Sequence, residues 1–364
     1  MNHFGIMTLS LDSESSYINE IAKHADPSSF LIYHFVPSTF HPFTEKVKGR
    51  IYKHETNSWV SGEFPIPTIL YDRCFYHESS HSNQCKNIVT WLKKREDIAF
   101  IGNGLPNKLT LYNVLKQSSL QAYIPKTKTL DHAESLLAEL SPAYPVIIKP
   151  INGSQGNGIY YIEKRHKEIL VKTDKKDKQV EHIFSHSKKF TSWLNSLLAK
   201  NAYLSQPYLP LYNKKKQPFD IRSLLQKSPS GKWKIVEKGI RVGEANRIIS
   251  NLSAGAEVIP FQDWLKNTSF PLKNFLENEV NDILSSIPEV LEKAFPSLFE
   301  IGVDIGVTEN GSLWILDINS KPGRKVILSA YPQLAEQLYK APTLYAATVS
   351  LKKGGKVNEK TLSD

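Results

Sequence analysis

Only two cysteines, Cys74 and Cys85, occur in 364 residues, too few for a disulfide framework. They lie in a His- and Ser-rich stretch with His77 and His81, but the spacing fits no standard zinc finger. Reduced, unlinked thiols in a cytosolic chain are the plainer reading. Long apolar runs are also missing. None approaches the roughly 18 residues that span a bilayer, so no membrane partner is expected. Residues 1–9 lack a basic flank and acidic residues soon follow, which reads as a first strand, not a secretion signal. A cytoplasmic location is the expectation. There is no internal repeat, and no Ser-His-Asp or Cys-His arrangement argues for a covalent enzyme intermediate.

What the chain has in excess is positive charge, a formal +10. The lysines cluster locally, between 164 and 178, at 188–189, at 214–216 and from 352 onward. No helix-turn-helix, finger or RNA-recognition signature accompanies them, so no specific nucleic-acid partner is expected. Solvated hairpin tips explain most of the surplus, and a polyanionic partner such as an acidic peptide is the functional alternative. Hydrophobic residues at 40% and charged residues at 23% describe a globular chain long enough for two or three subdomains.

The most informative stretch is residues 145–150, an apolar β-branched run that delivers Lys149 to the mouth of a glycine-rich turn. Gly153, Ser154, Gln155, Gly156 and Gly158 form that turn, and an apolar run at 159–162 re-enters a strand. A lysine supplies a point charge, and glycines let backbone N–H groups approach phosphate oxygens. The spacing is neither the dinucleotide fingerprint nor the Walker loop. Taken alone, the pattern also describes a tight hairpin with an exposed lysine.

A second cluster lies far downstream. Residues 301–307 read as a buried strand carrying Asp304, an Asn-Gly turn follows at Asn310, and residues 313–319 read as the returning strand. Asp317 and Asn319 are two apart and share a strand face that Asp304 can meet. Carboxylates inside apolar strands are costly unless paired or metal-bound. Two carboxylates and an amide oxygen suit Mg²⁺ that also touches phosphates.

Around these motifs the element reading is as follows. Residues 1–105 alternate strands (4–9, 30–36, 69–72, 98–101) with helices (16–24, 86–94), which suggests a parallel sheet. Asp72 and Arg73 end a strand, where ligand crevices of open α/β sheets lie, so they are substrate-side candidates or a local salt bridge. An amphipathic helix at 107–115 is followed by a helix at 131–140, capped by Asp131 with Glu134 three residues on. A helix spans 187–200. Residues 203–210 are extended, and two prolines limit them to an edge or linker. Strands follow at 220–226, 233–242 and 257–259, then a helix at 274–294 interrupted near Pro288. A helix at 331–338 closes the chain before a polar, frayed tail.

Lys149, the loop 153–158 and the Asp304, Asp317-x-Asn319 set resemble the ATP-grasp superfamily over roughly residues 106–340. The phrases around Tyr71-Asp72-Arg73, Phe219-Asp220-Ile221-Arg222 and Asn251 to Ala256 are similar to its YheC/YheD group of endospore-coat-associated proteins. The resemblance implies an α/β and α+β architecture: an ATP-grasp fold of two α+β subdomains holding ATP, preceded by a Rossmann-like domain. Its boundaries are 1–105, 106–202, 203–350 and a flexible tail, 351–364. It implies ATP and Mg²⁺ as cofactors, with the metal on Asp304, Asp317 and Asn319. Lys108 and Lys149 match the phosphate-binding lysines, and Gly153 to Gly158 the loop that covers the phosphates. Gln206, Tyr208 and Leu209 fall where the strand between subdomains reads adenine. Leu316, on the strand face opposite the metal residues, matches the apolar residue under adenine. Asp220 would contact the ribose or a lysine, and Arg222 the γ-phosphate. Arg241 would stabilise the acyl phosphate, unless it merely pairs with Glu244. Arg247, Asn251, Gly255 and Arg324, with Asp72 and Arg73, are implied on the substrate side. Asp317 stands where many members carry glutamate. The reaction implied is ATP-dependent carboxylate–amine ligation, with spore-coat association and spore-coat proteins as partners. A non-catalytic coat protein is the alternative, and a homodimer is in keeping with related folds.

Overall fold

The computed structural model describes residues 1–153, 157–175, 178–250, 256–268 and 273–360, with side chains through Ser350. Three sheets follow one another along the chain. The first contains β1 (Asn2–Met7), β2 (Phe30–Phe35), β3 (Lys46–Lys53), β4 (Ser58–Pro65), β5 (Ile69–Asp72) and β6 (Ala99–Phe100), in the order β4-β3-β2-β1-β5-β6. Helices α1 (Ser15–His24) and α2 (Ser80–Leu92) connect them. The strands β2, β1, β5 and β6 are parallel, as the strand–helix alternation suggests. The antiparallel hairpin β3–β4 was not legible. Its turn has no Asn-Gly pair, and it relies instead on Asn57 at φ 49°.

Next come α3 (Lys108–Lys116), β7 (Lys128–Leu130), α4 (Ala133–Glu139), β8 (Val146–Pro150), β9 (Tyr160–Arg165), β10 (Glu168–Asp174), β11 (Gln179–Phe184), α5 (Ser187–Leu198) and β12 (Tyr203–Pro207). The second sheet is antiparallel, ordered β11-β10-β9-β8-β12-β7. Leu136, Ile148, Ile162, Phe190 and Leu194 form its core under α4 and α5. Alternation along β8 then turns Lys149 to the opposite face.

Two expectations fail here. Asp131 does not cap α4: His132 occupies the N-cap position without a side-chain bond. The helix starts one residue later than an Asp131 cap requires. Strand β12 is interior, between β8 and β7, not an edge. Pro207 is tolerated because β7 pairs only with Tyr203 to Ser205, so no donor is required of residue 207 on that side.

The third sheet is built from β13 (Phe219–Lys227), β14 (Trp233–Val242), β15 (Glu257–Pro260), β16 (Glu300–Val307) and β17 (Leu313–Asn319), in the order β15-β14-β13-β16-β17. Helices α6 (Phe261–Asn267) and α7 (Lys273–Ala294) cover one face. Helix α7 runs unbroken through Pro288, correcting the expected interruption. The ring is buried, and core packing on both sides offsets the lost backbone bond. Leu111 and Leu115 of α3 join this third core, not the second.

After β17 come α8 (Lys325–Ala330) and α9 (Ala335–Lys360). The closing helix begins at Ala335, four residues later than expected, and continues through residues read as a tail. It packs back on α1, and Tyr345 and Ala346 belong to the first sheet's core. The closing helix therefore packs on both the first domain and the third sheet, where Leu338 joins Leu224 and Ile327.

Candidate active site

The face of the third sheet opposite its apolar core carries a row of charges fixed by register. Asp220 lies opposite Arg241, Arg222 opposite Asp304, and Asp304 opposite Asp317. The hairpin that the sequence implied therefore places its two carboxylates side by side. Arg222 Nη1 donates to Asp304 Oδ1 at 2.6 Å, and Arg241 Nη2 lies 3.0 Å from Asp304 Oδ2. Arg241 also holds Asp220 with both Nε (2.8 Å) and Nη2. Asp220 is thus paired with an arginine, where the resemblance implied the ribose or a lysine. Burial opposes ionisation of Asp304, but Arg222 and Arg241 outweigh it and hold its carboxyl at about 2.

Asn319 completes the row. With its amide oriented by the donors around it, the side-chain oxygen accepts from Arg222 Nη1 and Nη2 at 3.3 and 3.2 Å. Gly302, opposite Asn319 in the ladder, leaves the room: a Cβ there would stand 3.0 Å from the Asn319 amide and 3.1 Å from Arg222.

A bulge then redirects the strand. Asp304 pairs with Asp317 but Ile305 pairs with Ile315, so Leu316 is skipped in the ladder. Its carbonyl is freed and accepts from Lys149 Nζ at 3.2 Å and Tyr112 Oη at 2.9 Å. Its side chain reaches Gly306, where a Cβ would lie 3.2 Å from Leu316 Cδ1 and 2.7 Å from Leu211 Cδ1. Gly306 is on the same face as Asp304. Leu316 therefore projects to the charged face and not to the opposite one expected from strict alternation.

The second sheet brings its residues to this face. Lys149 is 8% exposed, and its Nζ touches Tyr112 Oη and sits 4.7 Å from the Tyr112 ring centre. Burial lowers its pKa to about 8, with Asp317 pulling weakly the other way. Lys108, the first residue of α3 after the Asn107 cap, pairs with Asp317. Tyr112, one turn on from Lys108, ties Lys149 to the Leu316 carbonyl; its i, i+4 spacing from Lys108 was the sequence signal for it. Gln206 is buried and donates to Thr127 Oγ1 at 2.6 Å. Tyr208 N–H is bonded to Pro145 O at 2.9 Å, which removes it as an adenine donor. Leu209 N–H makes no bond among the described residues.

Gly153 and Gly158 bracket the glycine loop against Pro150, and Gly158 has φ 75°, a conformation that suits glycine. Ser154, Gln155, Gly156, Asn251 and Gly255 lie outside the described residues. Arg247 stands apart from the charged row. It pairs with Glu244 and donates to Lys175 O at 3.3 Å, so Glu244 is the partner of Arg247 and not of Arg241. Next to it, Asp174 Oδ2 accepts from the Ile248 and Ile249 N–H groups at 2.7 and 3.0 Å. These contacts clip the β10–β11 hairpin of the second sheet to the loop after β14 of the third.

Asp72 and Arg73 are both in buried salt bridges. Asp72 accepts from Lys321 at 2.8 Å and Lys93 at 3.3 Å. Arg73 is held by Glu14 (2.6 Å) and Glu300 (2.9 Å), and Glu300 also pairs with Arg324. Glu14 and Glu300 were not singled out from sequence. Glu300, a carboxylate opening an apolar strand, carried the same signal as Asp304.

Lys108 and Lys149 meet a sheet face on which Arg222 and Arg241 stand beside Asp220, Asp304 and Asp317, a surplus of one positive charge for the seven groups together. The hard oxygens of Asp304, Asp317 and Asn319 fit Mg²⁺ that takes its remaining ligands from phosphate and water. The facing arrangement of a lysine-bearing sheet and a carboxylate-bearing sheet is suited to a polyanion between them.

Comparison with known proteins agrees with this architecture. D-alanine-D-alanine ligase from Coxiella burnetii superposes at a TM-score of 0.56 with 11% identity, over 100% of this chain and 99% of that one. The ATP-grasp ligase PsnB, in complex with a minimal precursor, Mg and ADP, superposes at 0.52 with 13% identity, over 94% and 98%. The fold is therefore the ATP-grasp fold. Endospore coat-associated protein YheC of Bacillus subtilis (strain 168) is 38% identical over 340 residues, 93% of each chain. Residues 97–349 match the family model described as YheC/D like ATP-grasp. On that match and that identity, the chain belongs to the YheC/D-like ATP-grasp family.

Proposed function

We propose that this chain is an ATP- and Mg²⁺-dependent carboxylate–amine ligase that acts in spore-coat formation. The observation that carries the reading is the opposition of Lys108 and Lys149 to the row Arg241, Asp220, Arg222, Asp304, Asp317 across one cleft. Lys149 and Lys108 would hold phosphate oxygens. Leu209 N–H would donate to adenine, with Leu316 and Leu211 beneath the ring. Asp304, Asp317 and Asn319 would hold Mg²⁺, which neutralises phosphate charge when bound.

In the first step a carboxylate oxygen attacks the γ-phosphorus and the bond to the β–γ bridging oxygen breaks, releasing ADP. In the second an amine nitrogen attacks the acyl carbon, the C–O bond to phosphate breaks, and the amine loses a proton. Arg222 and Arg241 would stabilise the oxygens that gain charge, because a guanidinium can chelate two at once. Holding both substrates in one cleft supplies much of the rate.

A second reading is a coat-associated protein that keeps the fold without turnover. It is favoured by the cations already seated on both carboxylates, Lys108 on Asp317 and the two arginines on Asp304. Thermal-shift titration with ATP and Mg²⁺, beside Asp317→Ala, separates them when followed by a screen of acid and amine pairs for ADP release. The ligase reading expects a Mg²⁺-dependent stabilisation lost in the variant, and pair-dependent ADP release. No shift in the wild type, or binding with no release for any pair, would leave the second reading.

A further inference from the structure

A separate cavity of about 440 Å³ opens where the first domain meets the segment after β17. One side of it runs along α1 from Glu14, at the end of the loop that follows β1, and is joined by Arg73, the residue after β5. Strand β1 has its sequential neighbour β2 on one side and β5 on the other, so this is the switch point of the sheet, where open α/β folds place ligands. Gly323, Arg324 and Lys325 form the opposite wall. The volume suits one or two amino-acid residues.

The wall chemistry is unusually specific. Two guanidinium groups lie over the Tyr17 ring, Arg324 at 4.0 Å and Arg73 at 5.3 Å from its centre. Arg324 is 5% exposed and donates to Pro322 O and to Glu300, yet its Nε has no partner. Tyr17 Oη is likewise buried and unpartnered. Two buried donors without an acceptor are costly in a native interior, and a carboxylate satisfies both. Lys325, exposed on the same wall, makes no ion pair among the described residues. On the opposite rim stand the carboxylates of Glu14, paired with Arg73, and Glu20, paired with Lys23. Glu14 holds φ 53°, ψ 22° at the start of α1, a strained conformation for a non-glycine residue, while its side chain reaches Arg73. Lys325 and the unpartnered donors of Arg324 and Tyr17 on one wall, and on the other two carboxylates each beside a single cation, match a ligand with a negative and a positive end.

The cavity also borders the charged row. Pro322, whose carbonyl Arg324 holds, packs at Gly302 beside Asn319 and Arg222. We propose that this cavity binds a small α-amino carboxylate, a free amino acid or dipeptide, as one of the two ligation substrates. Its carboxylate lies toward Arg324, Tyr17 and Lys325, and its ammonium toward Glu14 and Glu20. The substrate role rests on the ligase reading, whereas the ligand chemistry rests on the cavity alone.

The test is calorimetry on the full chain with a panel of free amino acids of both hands and with dipeptides. Their N-acetyl and carboxamide derivatives are titrated alongside, and ATP with Mg²⁺ is titrated separately. Tyr17→Phe removes one hydroxyl, and Lys325→Ala alters an exposed side chain, so both variants should fold. Expected is binding of at least one zwitterion, weakened about tenfold by Tyr17→Phe and several-fold by Lys325→Ala, with nucleotide affinity unchanged. Blocking either end of the ligand should weaken binding comparably. The proposal is overturned if nucleotide binds but no zwitterion does, if N-acetyl or amide forms bind as well, or if Tyr17→Phe has no effect. Zwitterion binding without nucleotide binding would sink the ligase reading and leave the cavity's ligand in place. Free amino acids and dipeptides are told apart by which arm of the panel binds.

Discussion

The proton on Lys149 should control nucleotide affinity. The residue is 8% exposed, and its ammonium contacts the hydroxyl and ring of a phenol and a carbonyl, with no carboxylate within ion-pair distance among the described residues. Burial accordingly holds it at about 8, against 10.5 for a free lysine. A polyphosphate beside it restores the charged form, so binding above pH 8 must take up a proton. Linkage then gives an affinity that is flat below pH 7 and falls about tenfold per unit above 8. Between pH 7 and 9.5 the loss is about thirtyfold for the folded-state value of 8. Phosphate ionisation, complete near pH 7, does not contribute to that limb. Titration calorimetry at pH 8.5 in two buffers of different ionisation enthalpy should count about 0.8 proton taken up per ATP bound. Lys149→Arg should bind with no such dependence, because guanidinium stays charged. A flat affinity to pH 9.5 with no proton uptake in the wild type would refute the reasoning. Stability of the free protein runs in the opposite sense. The folded lysine titrates below the unfolded one, so between pH 8 and 10.5 the unfolded chain holds more protons. The contribution of this group therefore rises with pH across that window, by about 3 kcal/mol in all.

Asp304→Ala should cost about 3–5 kcal/mol in urea unfolding, since Arg222 and Arg241 lose their shared carboxylate in a buried site, and it should abolish the Mg²⁺-dependent part of nucleotide stabilisation. The contribution of Asp304 is present above its unfolded value of 3.8 and is lost only as pH falls through about 2. Acid unfolding of Asp304→Asn should therefore begin from a lower plateau with a shallower fall at the acid end. Gly306→Val should lower stability by about 1–3 kcal/mol, because the new Cβ meets Leu211 at 2.7 Å, and should weaken ATP more than a triphosphate lacking a base. Equal weakening of both would show that Leu316 and Leu211 do not line the base site. Ile148→Ala, at 0% exposure in the second core, should lower stability by about 2–5 kcal/mol without altering the number of protons taken up on binding.

Much of the site was legible because its chemistry is encoded locally. A β-branched run that ends in one lysine and a glycine turn, and a strand pair that carries Asp304 and Asp317-x-Asn319 around Asn-Gly, require only alternation and turn geometry to be read. The helices α1, α3 and α5 and the strands of the third sheet were legible from their apolar patterning. The hairpin β3–β4 did not, since its turn lacks a strong dipeptide and its strands are half exposed.

What remained hidden was decided between segments distant in sequence. Whether Arg241 pairs with Asp220 or Glu244 depends on cross-strand register, which one sequence does not show. The bulge that skips Leu316, frees its carbonyl for Lys149 and turns its side chain to the charged face breaks the period-two rule on which the sequence reading relied. The position of β12 inside its sheet depends on β7 ending early beside Pro207. The cavity of Tyr17, Arg73 and Arg324 exists only because residues more than 300 positions apart meet around Glu300. Sequence alone thus determined the inventory of charges and the strands that carry them. Tertiary structure alone decided which charges meet, because burial makes pairing obligatory but leaves the choice of partner to register and packing.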